Sequence, residues 1–293
     1  MSVKIVTDST SYIREELRKE YDISIVSLSV TFKDEEYRET NIENESFYKK
    51  LDESLTIPTS SQPPLAEMYN NMEKHVRDNN EVVGIFISSD MSGTYSNACL
   101  AKDMILEKFP NALIEIIDSR ANCMQLGYAA ITAARAAKQG KPMDEVVGIA
   151  RDNIKRSRFL FIPNTLEYLK KGGRIGGASA LLGNILQIKP ILTVTDGKTA
   201  LFKKVRTKKR ALQIMTNKFV EDITNHGLGE VMVHHISDVE GALAFAKTVE
   251  ECIGKKIDIA PIGPVIGTHV GPGALGIVYY TQSDLTTFQN ESR

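Results

Sequence analysis

The chain has 293 residues, of which 42% are hydrophobic and 25% charged, and its formal net charge is -1. This composition is typical of a globular protein, excludes an intrinsically disordered one, and provides no global field that would attract nucleic acid or a membrane surface. Cys99, Cys123 and Cys252 are far apart and include no CxxC pair. We therefore expect a cytoplasmic protein without a disulfide scaffold or metal site.

Residues 1–156 alternate predicted strands and helices. KIVTD and the alternating ISIVSLSVTF indicate strands, and the hydroxyls of Ser9 to Ser11 are expected to cap a helix over YIREELRKEY. Pro64 is expected in the first turn of a helix with one apolar face, formed by Leu65, Met68, Tyr69, Met72 and Val76. Further strands are EVVGIFISS and ALIEIIDS, with helices at about 94–109, 125–138 and 142–156. Strands separated by helices predict a mostly parallel sheet.

After about residue 156 the pattern becomes that of a mixed or antiparallel sheet. RFLFIPN indicates a strand, TLEYLKKGGRIGG is helix-like, and PILTVTDGKTALFKKVR indicates a hairpin that turns at Asp196-Gly197. Further strands are EVMVHHIS, KIDIAPI and LGIVYYTQ, with helices near 208–225 and 238–253. We predict an α/β protein with two domains: 1–156, with a mostly parallel sheet and flanking helices, and 157–293, with a mixed or antiparallel sheet and helices.

Hydroxyl groups recur where predicted strands end and helices begin. The clusters are DSTS (8–11), PTSSQPP (58–64) and SSDMSGTYS (88–96). Carboxyl ends of parallel strands and amino ends of helices converge on one edge of a sheet, where ligands usually bind and an anion is favoured. Each hydroxyl taken singly is also explained as a helix cap. The three clusters together favour an anion-binding edge.

A glycine- and proline-rich stretch near the end of the sequence, GPVIGTHVGPGALG (263–276), contains His269. Glycine allows close approach of the backbone to another group, so this loop is expected to position the histidine. Its GPGALG matches the string of a dinucleotide-binding loop, but a strand rather than a helix is predicted to follow. The sequence contains no GxxxxGK[ST] loop, which argues against nucleotide binding by that route.

Seven motifs occur in an order that resembles the DegV family of fatty-acid-binding proteins, which includes the binding subunit of bacterial fatty acid kinase. They are TDST, PTSSQPP, SGTYSNA, LEYLKKGGRIGG, KPILTVTDG, KVRTKKRA and GPVIGTHVGPGALG. The resemblance covers nearly the full length and implies a DegV-like, two-domain α/β fold. It further implies that one long-chain fatty acid lies in a tunnel between the domains and that a separate ATP-dependent kinase phosphorylates its carboxylate.

The resemblance also implies residue roles. The carboxylate ligands correspond to Ser92, His269 and a hydroxyl of the sequence Thr59-Ser60-Ser61-Gln62-Pro63, where Ser60 stands in place of the threonine common in the family. Which of the three hydroxyls makes the contact stays open. The supporting loop residues are Gly93, Thr94, Gly267, Thr268 and Gly271. The implied kinase-docking residues are Arg206, in the basic stretch KKVRTKKR, and Arg174. No cofactor is implied, and the acyl-phosphate product would serve phospholipid synthesis.

Two alternatives accompany these expectations. The basic stretch is also explained as a solvated hairpin edge that charge protects from aggregation. A serine hydrolase or acyltransferase that uses Ser92 and His269 is the second hypothesis for function, although GxSxG and a recognisable acidic third member are missing from the sequence. The segment ALLGNILQIKPIL is too short and too polar to span a bilayer, so at most transient membrane contact is expected.

Overall fold

The computed structural model describes residues 2–33, 35–54, 56–181 and 188–285. Part of the segment ALLGNILQIKPIL, including Asn184 and Gln187, lies outside these residues. The described chain divides into two compact units. The first unit comprises residues Met1–Asn41 and Ser60–Ile154, and the second unit comprises Ile42–Thr59 and Lys155–Arg293. Residues 42–59 therefore group with the C-terminal part of the chain. The expected division at residue 156 places them in the N-terminal domain.

The elements of the N-terminal half follow the predicted alternation of strands and helices except over residues 24–38, which form three strands in succession. In chain order they are β1 (Val3–Asp8), α1 (Glu15–Glu20), β2 (Ser24–Val26), β3 (Ser29–Phe32), β4 (Glu35–Arg38), α2 (Asn44–Glu53), β5 (Thr59–Ser61), α3 (Leu65–Arg77), β6 (Glu81–Phe86), α4 (Thr94–Lys108), β7 (Ile114–Asp118), α5 (Cys123–Lys138) and α6 (Met143–Arg156).

The C-terminal half also contains both strands and helices. In chain order they are β8 (Ser157–Ile162), α7 (Glu167–Lys171), β9 (Lys189–Thr195), β10 (Lys198–Val205), α8 (Lys208–His226), β11 (Leu228–His235), α9 (Val239–Ile253), β12 (Asp258–Pro261), α10 (Pro264–Val270) and β13 (Leu275–Thr281). Short 3₁₀ segments cover Ser9–Ser11, Glu39–Asn41 and Gly176–Leu181.

The first unit contains the predicted parallel sheet. Its strand order is β2-β1-β6-β7, and all three pairings are parallel. The apolar face of α3, with Met68, Met72 and Val76, packs with α4 residues against this sheet, as the spacing predicts. A smaller sheet has the order β4-β3-β5.

Two expectations for the first unit were wrong. ISIVSLSVTF is not one strand: β2 pairs with the parallel sheet, whereas β3 pairs with β4 in the small sheet. Ser27 and Leu28 separate the two strands. Ser9 to Ser11 do not cap a helix, because they form a 3₁₀ turn capped by Asp8, and α1 begins only at Glu15.

The second unit contains the predicted mixed sheet, with the order β10-β9-β8-β13-β11-β12. All neighbours are antiparallel except β11 and β12. The hairpin between β9 and β10 turns at Asp196 and Gly197, whose positive φ angles of 49° and 77° match a type I′ turn. The hydrophobic core of the second unit contains residues from β8 through β13, among them Leu160, Ile191, Phe219, Phe245 and Tyr279.

Candidate functional site

The parallel sheet has a topological switch point between β1 and β6. The chain passes from β1 to β2 on one side, and from β6 to β7 on the other. In such sheets, ligands bind in the crevice at the carboxyl ends of the strands where the order reverses. Two of the predicted hydroxyl clusters follow β1 and β6 at this edge: residues 8–11 and 88–96. The sequence-based placement of these two clusters on one edge is therefore correct.

The segment 87–94, here called the Ser92 loop, leads from β6 into α4. The carbonyl of Ser88 accepts hydrogen bonds from the amides of Met91 (2.9 Å) and Ser92 (3.1 Å), which closes a tight turn. Ser92 is partly exposed, and its Oγ lies 2.9 Å from the hydroxyl of Thr94 and accepts the Thr94 amide at 3.3 Å. Neither Thr94 group is a general base, so these contacts offer the hydrolase hypothesis no activation of the serine.

The third hydroxyl cluster does not follow a strand of the parallel sheet, because Thr59 to Ser61 form β5 of the small sheet. Thr59 and Ser61 are exposed, whereas Ser60 is half-buried. The residues that follow β5 nevertheless reach the Ser92 loop. A Cβ on Gly93 would lie 1.9 Å from Oε1 of Gln62, and Asn97 Nδ2 donates to the carbonyl of Pro63 at 2.8 Å. The absence of a side chain at Gly93 thus lets the Gln62 side chain lie directly against the Ser92 loop.

His269 lies in the second unit, in α10 rather than in a loop. The expectation of a loop histidine was wrong because Pro264 occupies the first turn and residues 264–270 form a helix, which ends at Gly271 with φ 83°. Burial, and secondarily the positive charge of Arg174, lower the pKa of His269 from 6.5 to about 4. The ring is therefore neutral near pH 7 and has one N–H to donate.

The glycines around His269 allow close packing of α2, α7 and α10. A Cβ on Gly172 would lie 2.2 Å from Nδ1 of His269, and one on Gly267 would lie 2.0 Å from the hydroxyl of Tyr48. A Cβ on Gly271 would lie 2.3 Å from Cδ2 of Tyr168. Ordinary side chains cannot occupy such positions without displacing a neighbour.

The remaining supporting residues have local roles. Thr268 is buried and its hydroxyl donates to the carbonyl of Pro264 at 2.9 Å, within α10. The hydroxyl of Tyr48 donates to the carbonyls of Ile262 (2.9 Å) and Gly263 (3.1 Å), just before this helix. Both contacts stabilise the short helix that carries His269.

The two arginines expected to dock a partner are exposed. Arg206 begins an uninterrupted exposed stretch that extends to Arg210. Arg174 Nη1 donates to the carbonyl of Gly172 at 2.6 Å, which places its charge next to the glycine that contacts His269.

The predicted ligands thus form two groups, one in each unit. Ser60, Ser61 and Ser92 belong to the first unit, and His269 to the second, together with Thr59. Sequence reasoning missed Asp8, Gln62, Tyr48 and Gly172 as site-building residues. Asp8, Gln62 and Gly172 stood inside quoted motifs, but only their three-dimensional neighbours show what they contact.

Within the described ranges of the chain, no cluster of three or more His, Cys, Asp or Glu residues is arranged to hold a metal ion. No helix in the same ranges has both the length and the apolarity needed to cross a membrane.

Comparisons with known proteins agree over nearly the whole chain. A DegV domain-containing protein of Clostridium acetobutylicum is 54% identical over 285 residues, covering 97% of this chain and 100% of that protein. The structure matches DegV, a fatty-acid-binding protein of Bacillus subtilis, with a TM-score of 0.85, 32% identity and coverage of 96% of this chain and 99% of that one. It matches a stearic-acid-binding protein of Eubacterium ventriosum with a TM-score of 0.87, 27% identity and coverage of 96% and 98%.

The fold with its parallel and mixed sheets agrees with these neighbours. The family profile described as "Uncharacterised protein, DegV family" matches residues 2–282. The protein therefore belongs to the DegV family.

Proposed function

We propose that this protein binds one long-chain fatty acid and presents its carboxylate for phosphorylation by a separate kinase. The observation that carries the first half is the full-length match to the fatty-acid-binding DegV of Bacillus subtilis, at 32% identity and a TM-score of 0.85. The hydroxyl-rich switch point of the parallel sheet supports an anionic head group there.

The acyl chain supplies most of the affinity in this proposal. A sixteen-carbon chain buries roughly fourteen methylenes at about 0.8 kcal/mol each, or on the order of 11 kcal/mol in total. A hydrogen bond to a charged carboxylate adds roughly 1.5 to 3 kcal/mol. The polar residues therefore fix the position of the head group, and loss of one of them weakens binding without abolishing it.

The proposed carboxylate ligands are Ser92, His269 and one hydroxyl among Thr59, Ser60 and Ser61. Ser60 is the best candidate of the three, because it is half-buried while its two neighbours are exposed. The neutral imidazole of His269 provides one hydrogen bond rather than a positive charge. Hydroxyls and a neutral ring bind the carboxylate less tightly than a bidentate arginine would, which suits a group that must be phosphorylated.

The binding test combines lipid analysis with a double-mutant cycle. Mass spectrometry of the purified protein should detect a bound fatty acid. Ser92→Ala and His269→Ala should each weaken stearic acid binding by roughly 1 to 3 kcal/mol, because one donor to the carboxylate is lost. The exposed Ser96→Ala in α4 is the matched control and should bind as the wild type does.

The double variant shows whether both residues act on one carboxylate. Its loss should be smaller than the sum of the single losses, since contacts to a shared group are not independent. Additive losses would indicate separate sites. Unchanged binding in both single variants, or no fatty acid binding by the wild type, would remove the head-group assignment.

The kinase half of the proposal rests on the family resemblance and on the exposed basic stretch at Arg206. Local positive charge on a nearly neutral chain steers association with an acidic protein surface. We expect Arg206→Glu to abolish or sharply weaken acyl-phosphate formation with ATP and a fatty acid kinase, while fatty acid affinity stays within a factor of about three.

Lys256→Glu, an exposed charge reversal elsewhere in the second unit, should leave both measurements unchanged. If Arg206→Glu also loses fatty acid binding, the residue is structural. If phosphorylation is normal, Arg206 lies outside the docking surface. Arg174→Glu follows the same scheme.

A further inference from the structure

Asp8 is a buried carboxyl group that the proposed carboxylate site does not use. It lies at the carboxyl end of β1 and is fully buried. Its Oδ1 accepts hydrogen bonds from the amide of Thr10 at 3.0 Å and from the hydroxyl of Thr10 at 2.5 Å. Its Oδ2 accepts the amide of Ile87 at 2.7 Å. Each carboxylate oxygen thus receives one backbone N–H.

The bond to Ile87 crosses the switch point and joins the end of β1 to the start of the Ser92 loop. The amide of the next residue, Ser88, donates to the carbonyl of Ala121, which follows β7, at 2.9 Å. The next turn is built on the carbonyl of Ser88, which accepts the amide of Ser92. The position of Ser92 therefore depends on how Ile87 and Ser88 are fixed.

The charge on Asp8 has a cost in stability. Burial raises its pKa from 3.8 to about 6, although hydrogen bonds from Thr10 and Ile87 lower it. A carboxyl whose folded pKa is raised contributes stability that is complete below the unfolded pKa and is lost as the pH rises through about 6. Near neutral pH, the ionised group therefore makes the fold less stable than a neutral isostere with equal contacts would. The ionised carboxylate of Asp8 therefore does not stabilise the fold, and its structural effect lies in the hydrogen bonds that it accepts.

We propose that Asp8 is a positioning residue: its carboxylate ties the end of β1 to the first amide of the Ser92 loop and so fixes the Ser92 hydroxyl for the ligand. This inference rests on the proposed function, because it assumes that Ser92 contacts the fatty acid head group. It also predicts a local property, the order of residues 87–94, that can be measured without ligand.

Asp8→Asn is the isosteric test. Both carboxylate oxygens accept a backbone N–H, so the side-chain NH₂ of asparagine faces a donor in either orientation and one bond to Thr10 or Ile87 is lost. We expect stearic acid to bind about tenfold more weakly. Amide hydrogen exchange in the ligand-free, full-length protein should accelerate within residues 87–94, while the melting temperature stays near that of the wild type.

Asp222→Asn is the matched control, since Asp222 is also a buried carboxyl. Its Oδ2 accepts from Arg158 Nε and from the Tyr279 hydroxyl, both at 2.7 Å, in the second unit. This variant should lower the melting temperature without changing exchange in residues 87–94. A fall in Tm with accelerated exchange throughout the first unit in Asp8→Asn would instead show a general structural role and overturn the proposal.

The remaining outcomes separate this inference from the proposed function. If the wild type binds stearic acid, Ser92→Ala weakens binding and Asp8→Asn does not, the positioning role is wrong and the function stands. If the wild type binds no fatty acid, the proposed function fails and the positioning role fails with it. Should Asp8→Asn not fold, Thr10→Val tests the orientation of the same carboxylate, because it removes the hydroxyl that donates to Oδ1: it should weaken binding about threefold, and Thr10→Ser should restore it. Equal binding by both Thr10 variants would overturn the proposal.

Discussion

At the scale of single residues, the second unit holds His269 in its neutral form near pH 7. The pKa of this ring falls to about 4, mainly because the side chain is buried and secondarily because Arg174 is near. Arg174 itself donates to the carbonyl of Gly172, the glycine that leaves room for the imidazole. Arg174, Gly172 and His269 thus form a small cluster: Arg174 binds the backbone of Gly172, and Gly172 leaves room for the His269 ring.

Gly172→Ala should displace the His269 ring, although Gly172 is not itself a proposed ligand of the carboxylate. The new Cβ would lie 2.2 Å from Nδ1 of His269 and 3.1 Å from the carbonyl of Tyr168, so the ring must move. We expect fatty acid affinity to fall about as much as in His269→Ala, roughly 1 to 3 kcal/mol, because the same hydrogen bond is lost.

Gly148→Ala in α6 is the control, because an added Cβ has open space there and alanine favours a helix. Titration with stearic acid compares the two variants. Wild-type affinity in Gly172→Ala would show that the ring does not need this position.

At the scale of elements, the short helix α10 is defined by its ends and by the aromatic residues that pack on it. Pro264 starts it, and Gly271, at φ 83°, ends it. Tyr48 in α2 and Tyr168 in α7 occupy the space that side chains at Gly267 and Gly271 would fill. The glycines expected to allow close approach of the backbone lie in a helix rather than in a loop, and they let three helices approach closely because each lacks a Cβ at a contact.

At the scale of the whole molecule, the chain forms two units with sheets of different kinds. The first unit has a four-stranded parallel sheet with a switch point, and the second a six-stranded mixed sheet. Residues 42–59 leave the first unit, contribute α2 to the second and return. Each unit includes buried titratable groups, so the stability of the protein should depend on pH.

Stability should fall on acidification from about pH 6.5 to about pH 4. Burial lowers the pKa of His234 to about 4, opposed by its hydrogen bond to the carbonyl of Ala260, and burial likewise lowers that of His269 to about 4. A depressed pKa gives stability that is present above the unfolded value of 6.5 and is lost as the pH falls through 4. The pKa of Asp8 is raised to about 6, so protonation of Asp8 stabilises the fold on acidification over the same pH window. This one group offsets only one of the two histidines.

Urea denaturation followed by circular dichroism at several pH values measures this balance. Near pH 5, two histidines bind protons only in the unfolded state and one carboxyl binds its proton mainly in the folded state. The net slope should therefore be about 1.4 kcal/mol per pH unit for these three groups. His234→Gln should flatten it. Stability that rises on acidification through this window would mean that Asp8 outweighs the histidines.

The sequence by itself determined the features that depend on neighbours along the chain. Apolar periodicity predicted α3, and Asp196-Gly197 predicted the hairpin, because these patterns reflect local backbone preferences. The order of seven motifs indicated the family. The hydroxyl clusters after β1 and β6 were correctly predicted to share an edge, since parallel strands with helical crossovers leave no other arrangement.

Only the tertiary structure decided which distant residues build the site. Asp8 and Ile87 are 79 residues apart, and Tyr48 contacts Ile262 across 214 residues. One continuous stretch of sequence contains β2 and β3, and only strand pairing assigned them to different sheets. At α10, only the packing shows that Tyr48 and Tyr168 fill the space beside Gly267 and Gly271. Hydrogen bonds, burial and pKa depend on contacts between residues far apart in the chain, which no local pattern specifies.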